Sequence, residues 1–211
     1  MVIPKIIVQT SRVKPEQYIV DMIKKSSIGW EYKHFNDDEI IEFFHENPVQ
    51  EFPNVIAKFF TFNYGEHRAD LFRYYYLYVK GGVYIDMDAM LFENIDTIID
   101  NAEFFTVNSS YFPGTVFQGF LGATPNNHII YKALLDLYIT PNSVLIREFH
   151  LLCKNLNTFI VEEIQSTNMK ILLLEEVFGN KDEAYIKNKK GDLVLIHYHI
   201  TKKIPNYLLT L

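Results

Sequence analysis

The sequence predicts an α/β fold: one domain over residues 1–211, with a mostly parallel central sheet flanked by helices. Three observations carry this expectation. Short runs rich in β-branched and aromatic residues alternate with amphipathic runs of helical length along the whole chain. Strand-like runs end in polar residues, and ligands of open α/β sheets lie beyond the carboxyl ends of the strands. At 211 residues and 48% hydrophobic the chain suffices for one substantial core, and no linker or low-complexity tract marks a second domain.

The first strand is Ile3-Pro-Lys-Ile-Ile-Val-Gln-Thr10, whose apolar residues give way to Gln9 and Thr10. Residues 15–26 follow as an amphipathic helix with Tyr18, Ile19, Met22 and Ile23 on one face. Trp30 to Phe35 alternates like a strand, and Asn36 or Asp37 is placed to cap a helix over residues 39–45. Residues 50–62 read as helical after Pro53, and residues 66–80 as the clearest helix, with Ala69, Phe72, Tyr76 and Val79 as its apolar stripe. Gly81-Gly82 ends that helix and launches a strand, Val83-Tyr84-Ile85, that runs into Asp86-Met87-Asp88. Strands are then expected at 103–108 and 116–123 around a Ser-Ser-Tyr-Phe-Pro-Gly loop. Helices follow near 126–139 and 143–165, and strands at 170–174 and 193–199.

Asp86 and Asp88 are the most informative pair. On a strand, carboxylates at i and i+2 leave the same face and can meet one hard divalent cation. They follow an apolar strand directly, where charge without a partner is costly. Such a cation suits a diphosphate leaving group, whose charge grows as a glycosidic bond breaks. Oxygen donors with one imidazole favour Mn²⁺ or Mg²⁺. Ile196-His-Tyr-His-Ile-Thr-Lys-Lys203 puts His197 and His199 on one strand face, either of them able to complete the metal shell. Lys202 or Lys203 could reach phosphates as a point charge. Asp70 and Arg73, three apart, share a helical face beside the apolar stripe, which leaves two readings open: a grip on a ligand, or a surface ion pair worth about 0.3–0.5 kcal/mol.

The run Arg68-Ala-Asp-Leu-Phe-Arg-Tyr-Tyr-Tyr-Leu-Tyr-Val-Lys-Gly-Gly-Val-Tyr-Ile-Asp-Met-Asp88 resembles the core of the glycosyltransferases with a sugar-binding region containing a DXD motif, glycosyltransferase family 32-like. That group includes yeast-type α-mannosyltransferases, bacterial capsular and lipooligosaccharide transferases, and the glucosylating domain of large clostridial toxins. The shared pattern is an Asp, an Arg three later, then Gly-Gly-x-Tyr-x-Asp-x-Asp. Ile3-Pro-Lys-Ile-Ile resembles the family's first strand, with Val8 where a His is usual. Ile196-His-Tyr resembles the metal-binding segment of related retaining galactosyltransferases, with Lys203 at the place of their phosphate-contacting Lys and Ile204-Pro205 in place of Pro-Trp.

The resemblance implies a GT-A fold, with a nucleotide-binding part over about residues 1–90 and the acceptor side and C-terminal metal and phosphate segment over about 100–211. It implies that Gln9 and Thr10 lie by the nucleoside, that Asp70 and Arg73 grip the donor sugar, and that Tyr84 packs near the donor. By the same token Asp86, Asp88 and His197 hold Mn²⁺, and Gln118 lines the reaction centre. The stereochemical outcome stays open. The chain's size and lack of an anchor also resemble soluble glycosyltransferases of large algal DNA viruses, which decorate capsid glycans.

The expected activity is therefore Mn²⁺-dependent transfer from a nucleoside-diphosphate sugar, UDP-sugar foremost, to a hydroxyl of a glycan or glycoprotein. Two other classes share features with it. A carbohydrate-binding module could hold a structural cation and stack sugars on tyrosines, but has no need of the Asp70 and Arg73 helix. A haloacid-dehalogenase-like phosphatase also places Asp-x-Asp after an apolar strand, yet continues with a small residue and then Thr or Val, where Ala89-Met90 stand here. Lys plus Arg number 20 against 26 Asp plus Glu, and the net charge of -6 argues against a broad nucleic-acid surface. The single Cys153 forms no internal disulfide, no apolar run approaches the roughly 20 residues of a membrane span, and Met1-Val-Ile-Pro-Lys lacks a signal-peptide core. The expected location is cytoplasmic, the host cytoplasm for a viral protein.

Overall fold

The computed structural model describes residues 2–180 and 182–205. The chain runs β1 (Ile6–Thr10), α1 (Gln17–Lys25), β2 (Glu31–Phe35), α2 (Asp37–Glu46), α3 (Val55–Thr61), α4 (Gly65–Lys80) and β3 (Gly82–Ile85). It continues through β4 (Ala89–Leu91), α5 (Ile95–Ile99), β5 (Phe104–Asn108), β6 (Val116–Ala123) and α6 (His128–Ile139). The last elements are α7 (Asn142–Arg147), α8 (Leu151–Ser166), β7 (Ile171–Phe178), β8 (Ala184–Lys187) and β9 (Leu193–His197). Asn36 caps α2 as expected, accepting from the Glu39 N–H while the Glu39 side chain accepts from the Asn36 N–H.

The strands form one sheet in the order β2-β1-β3-β6-β5-β7-β8-β9-β4. Helices cover both faces, as expected for the α/β class. Parallel pairing is confined to β1 with β2, β1 with β3, and β5 with β7. The remaining pairings are antiparallel, because β6 returns as a hairpin from β5 and the short links from β7 to β9 allow only a meander. The helix expected over 143–165 is two helices, and the break between them leaves Phe149 exposed.

Strand alternation divides the core into two layers. Val8 and Tyr84 face a cluster with Phe44, Phe59, Phe72 and Tyr75 from α2, α3 and α4, while Ile7, Val83 and Ile85 face a cluster with Ile19, Ile23 and Ile95 from α1 and α5. Aromatic rings interlock in the first layer: Phe43 stacks on Tyr76 at 4.9 Å and Phe44 meets Tyr75 edge-on at 4.8 Å. Most tyrosines of α4 are therefore core. The helix is also buried more widely than its expected stripe, with Leu71 through Leu77 all inside.

The link between β3 and β4 sets the shape of the sheet. These strands stand six positions apart in the sheet order, which in a flat sheet is about 28 Å. Only residues 86–88 join them, and four Cα–Cα steps span at most about 15 Å. The sheet must curl back on itself, so that β9 and β4 approach the end of β3.

Gly81 and Gly82 make the entry to β3 possible, with φ of 67° and 110°. A Cβ on Gly82 would lie 2.7 Å from the Ile6 carbonyl oxygen, which β1 holds beside it. Gly82→Ala is therefore expected to cost roughly 1–3 kcal/mol, read as a lower denaturation midpoint in urea.

Candidate active site

Two clefts meet at the β3–β4 turn. One, of about 460 Å³, is lined by residues that include Asp70, Gln118, Phe112 and His197. The other, of about 410 Å³, is lined by residues that include Thr10, Ser11, Arg12, Tyr84 and Met87. They share Glu66, Arg73, Asp86, Asp88 and Lys202. The turn and one face of α4 thus form a wall with a cleft on either side.

Arg73 is the centre of that wall and only 6% exposed. Its Nη1 donates to the Gln118 carbonyl at 2.7 Å and its Nη2 to Asp86 Oδ1 at 3.3 Å. The guanidinium lies 4.3 Å over the Tyr84 ring. Asp70 Oδ1 sits 3.5 Å from Nε, an ion pair without a hydrogen bond to that nitrogen. Burial works against the positive charge of Arg73, but Tyr84, Asp86 and Asp70 outweigh it and leave the pKa raised. Of the two readings the sequence leaves open, a pair on the surface is excluded: Asp70 and Arg73 do pair, but α4 is central and the pair is inside.

Asp70 is a carboxylate under strain of charge. Its side chain is 14% exposed, and among the described residues none donates a hydrogen bond to it. Burial pushes its pKa up to about 6, with Arg73 opposing and Asp86 and Glu66 adding to the rise.

Asp86 and Asp88 lie in a turn rather than on a strand, since the Ala89 N–H donates back to the Asp86 carbonyl at 3.2 Å. The same-face argument from strand alternation is corrected accordingly, because the chain must swing from β3 to β4 here. Asp86 turns to Arg73. Asp88 instead approaches His197, with Oδ2 to Nε2 at 3.6 Å. Pairing of Ala89 with His197 and the Tyr198 N–H donating to the Asp88 carbonyl at 2.9 Å fix that approach. The His197 ring stacks on Phe117 at 4.4 Å. Burial opposes protonation of His197, yet Asp88, followed by Asp86 and Glu176, leaves its pKa raised.

Among the described residues no three His, Cys, Asp or Glu side chains gather as a ready metal set. Asp88 and His197 nonetheless fit a hard divalent cation as an oxygen and an imidazole donor, which leaves the rest of the shell to substrate oxygens and water. Asp86 is adjacent and held by Arg73.

The other expected residues fall as follows. Gln9 is fully buried, donates to the Asp86 carbonyl at 3.2 Å and accepts from the Tyr32 hydroxyl at 2.9 Å. It holds the turn and lines neither cleft. Thr10 lines the smaller cleft, with its hydroxyl donating to the Phe35 carbonyl. Tyr84 lies beneath Arg73. Gln118 lines the larger cleft, accepts from the Tyr74 hydroxyl and donates to Cys153 Sγ at 3.0 Å. Lys203 is not at the site: it pairs with Glu16 at 2.7 Å and lines neither cleft. Its neighbour Lys202 lines both, 3.5 Å from Glu66, because the chain reverses there at a φ of 49°. His199 lines the larger cleft. Sequence reasoning missed Glu176, buried at 4% and accepting from the Ser109 hydroxyl at 2.5 Å, since β7 runs past its expected end.

Two outcomes follow from this geometry. A Cβ on Gly119 would collide with Asp86 Oδ2 and the Phe117 ring. Gly119→Ala is expected to remain folded while displacing the Asp86 carboxylate from Arg73, read in a crystal structure of the variant as loss of the 3.3 Å contact between them. Asp70 also carries a pH signature. Its folded pKa of about 6 lies above the 3.8 of a free carboxyl, so the folded state binds the extra proton. Stability from this group falls as pH rises from about 4 to about 6, on the order of 1 kcal/mol per unit. Thermal melts of Asp70→Asn against the parent chain should lack that decline.

Residues 14–105 match the family model described as glycosyltransferase sugar-binding region containing DXD motif. Among curated proteins, the chain is 28% identical over 109 residues to inositol phosphoceramide mannosyltransferase 1 of Schizosaccharomyces pombe, covering 52% of this chain and 32% of that protein. It is 32% identical over 139 residues to mannosyl phosphorylinositol ceramide synthase SUR1 of Saccharomyces cerevisiae, covering 64% of this chain and 35% of that protein. The chain thus spans about a third of the length of these relatives. Among solved structures it is similar in fold to the PaToxG glycosyltransferase, with a TM-score of 0.54 and 16% identity over 78% of this chain and 71% of that one. The resemblance read from the motif is therefore borne out: residues 14–105 are similar to the glycosyltransferase sugar-binding region containing DXD motif, within a mixed α/β fold that a solved glycosyltransferase shares.

Proposed function

We propose that the protein is a metal-dependent glycosyltransferase that moves one sugar from a nucleoside diphosphate, UDP foremost, to a hydroxyl of a glycan or glycoprotein. The observation that carries this reading is Asp70: a largely buried carboxylate with no hydrogen bond from the described residues, paired with Arg73 and facing the larger cleft. A group held in that way costs stability unless a ligand uses it. A carbohydrate-binding module gives it no task.

In this reading the nucleoside lies in the smaller cleft beside Thr10, Ser11 and Arg12, and the diphosphate reaches the shared wall. Sugar hydroxyls donate to Asp70, whose carboxylate the buried Arg73 guanidinium faces at 3.5 Å. The Asp86 carboxylate and the Gln118 carbonyl hold the guanidinium so that it pays no reorganisation when charge shifts. Gln9 and Tyr32 keep the turn in register. Asp88 and His197, with Asp86 beside them, would hold Mn²⁺ or Mg²⁺, which when bound neutralises the charge that builds on the departing diphosphate. Lys202 adds an exposed positive charge at the same wall. The acceptor enters from the larger cleft.

The test is a panel of nucleotide sugars scored for thermal stabilisation and slow donor hydrolysis, with and without Mn²⁺. A UDP-sugar is expected to stabilise the chain only with the metal. Asp88→Ala, at a partly exposed position, should stay folded and lose metal-dependent turnover on the order of 100-fold. Full Mn²⁺-dependent turnover in that variant would sink the ligand assignment.

A further inference from the structure

We infer that the mouth of the larger cleft is an acceptor subsite for a neutral, pyranose-containing glycan, built by Phe112 and Phe149 around His150; the assignment rests on the glycosyltransferase reading. Both phenylalanines line the cleft that holds Asp70 and Gln118. They are 49% and 64% exposed. Large aromatic rings left open together at a cleft mouth mark a surface that something covers.

Phe112 is held in place, with Phe149 beside it. Phe112 lies with its centroid 3.9 Å from that of His150, tilted by 33°, and Phe149 meets the same imidazole edge-on at 5.2 Å. The loop that carries Phe112 is pinned at both ends. The Ser109 N–H donates to the Thr115 carbonyl and the Thr115 N–H to the Phe112 carbonyl, both at 3.1 Å. The hydroxyls of Ser109 and Ser110 tie the loop to Glu176 on β7. A fixed π-surface loses little entropy on binding and offers the C–H face of a sugar ring an apolar floor.

Charge selects among apolar-faced ligands. Glu66, Asp86, Asp88, Arg73 and Lys202 belong to the wall shared with the smaller cleft, where the donor diphosphate and its cation would engage them. The charges that belong to the larger cleft alone are therefore the carboxylates of Asp70 and Glu176. An anionic headgroup would be repelled, whereas a neutral glycan meets carboxylates and imidazoles that accept from its hydroxyls.

Saturation-transfer NMR with methyl glycosides of glucose, galactose and mannose, in the presence of Mn²⁺ and UDP, tests the assignment. At least one glycoside is expected to bind. Phe112→Ala and Phe149→Ala should each weaken it by about 5–10-fold, and the tyrosine variants should restore it. Undiminished binding in both alanine variants overturns the subsite, as does the absence of any glycoside binding. So does association with phosphatidylcholine or phosphatidylinositol vesicles through the same phenylalanines without glycoside binding. UDP titrated calorimetrically separates the two readings: glycosides bound through Phe112 and Phe149 while UDP is ignored would sink the transferase and keep the sugar subsite.

Discussion

The molecule depends on a span that is too short for a flat sheet. Three residues connect β3 to β4, and β4 pairs with β9 at the far end of the strand order. The curl that this enforces brings a strand end from the C-terminal part of the chain against a turn from its N-terminal part. His197 meets Asp88 for that reason, although 109 positions separate them. Sheet curvature therefore creates the site, and the side chains inherit their proximity from backbone geometry.

Within that frame the electrostatics are balanced around Arg73. A buried guanidinium with one carboxylate would be neutral. With both Asp70 and Asp86 the cluster carries an excess of negative charge, and burial drives Asp70 toward protonation. The structure resolves the competition unequally. Asp86 takes the hydrogen bond and Asp70 does not, so one carboxylate holds the arginine, and the other, in the proposed reading, is the group that takes a ligand. Gly119 belongs to this balance, because only a residue without a side chain leaves room for the Asp86 carboxylate over β6.

Much of this was legible in the sequence. The alternation of strand and helix periods gave the α/β class and the opening order of elements, and the Gly-Gly-x-Tyr-x-Asp-x-Asp run located the turn. Asp70, Arg73, Asp86, Asp88, Tyr84, Thr10, Gln118 and His197 do come together around one wall. What periodicity could not show was direction and curvature. It assigned the aspartates to a strand face, since alternation carries no sign of where a strand stops. It set Asp70 and Arg73 beside an apolar stripe, because a central helix buried on many sides has no polar face to reveal. The resemblance implies a nucleoside contact for Gln9, whereas the parallel register of β1 and β3 puts it under the turn. Lys203 and Lys202 differ by one residue, and a left-handed backbone at Lys202 decides between them.

In the proposed function the curled turn places Asp88 and His197 to hold a cation for a departing diphosphate. Anomalous diffraction from crystals soaked with Mn²⁺ and UDP tests it most directly. A single manganese peak bonded to Asp88 and His197, with UDP phosphate oxygens completing its shell and uracil in the cleft beside Thr10, is the predicted result. Manganese bound elsewhere, or UDP seated away from the wall with Asp88 turned to solvent, would contradict it.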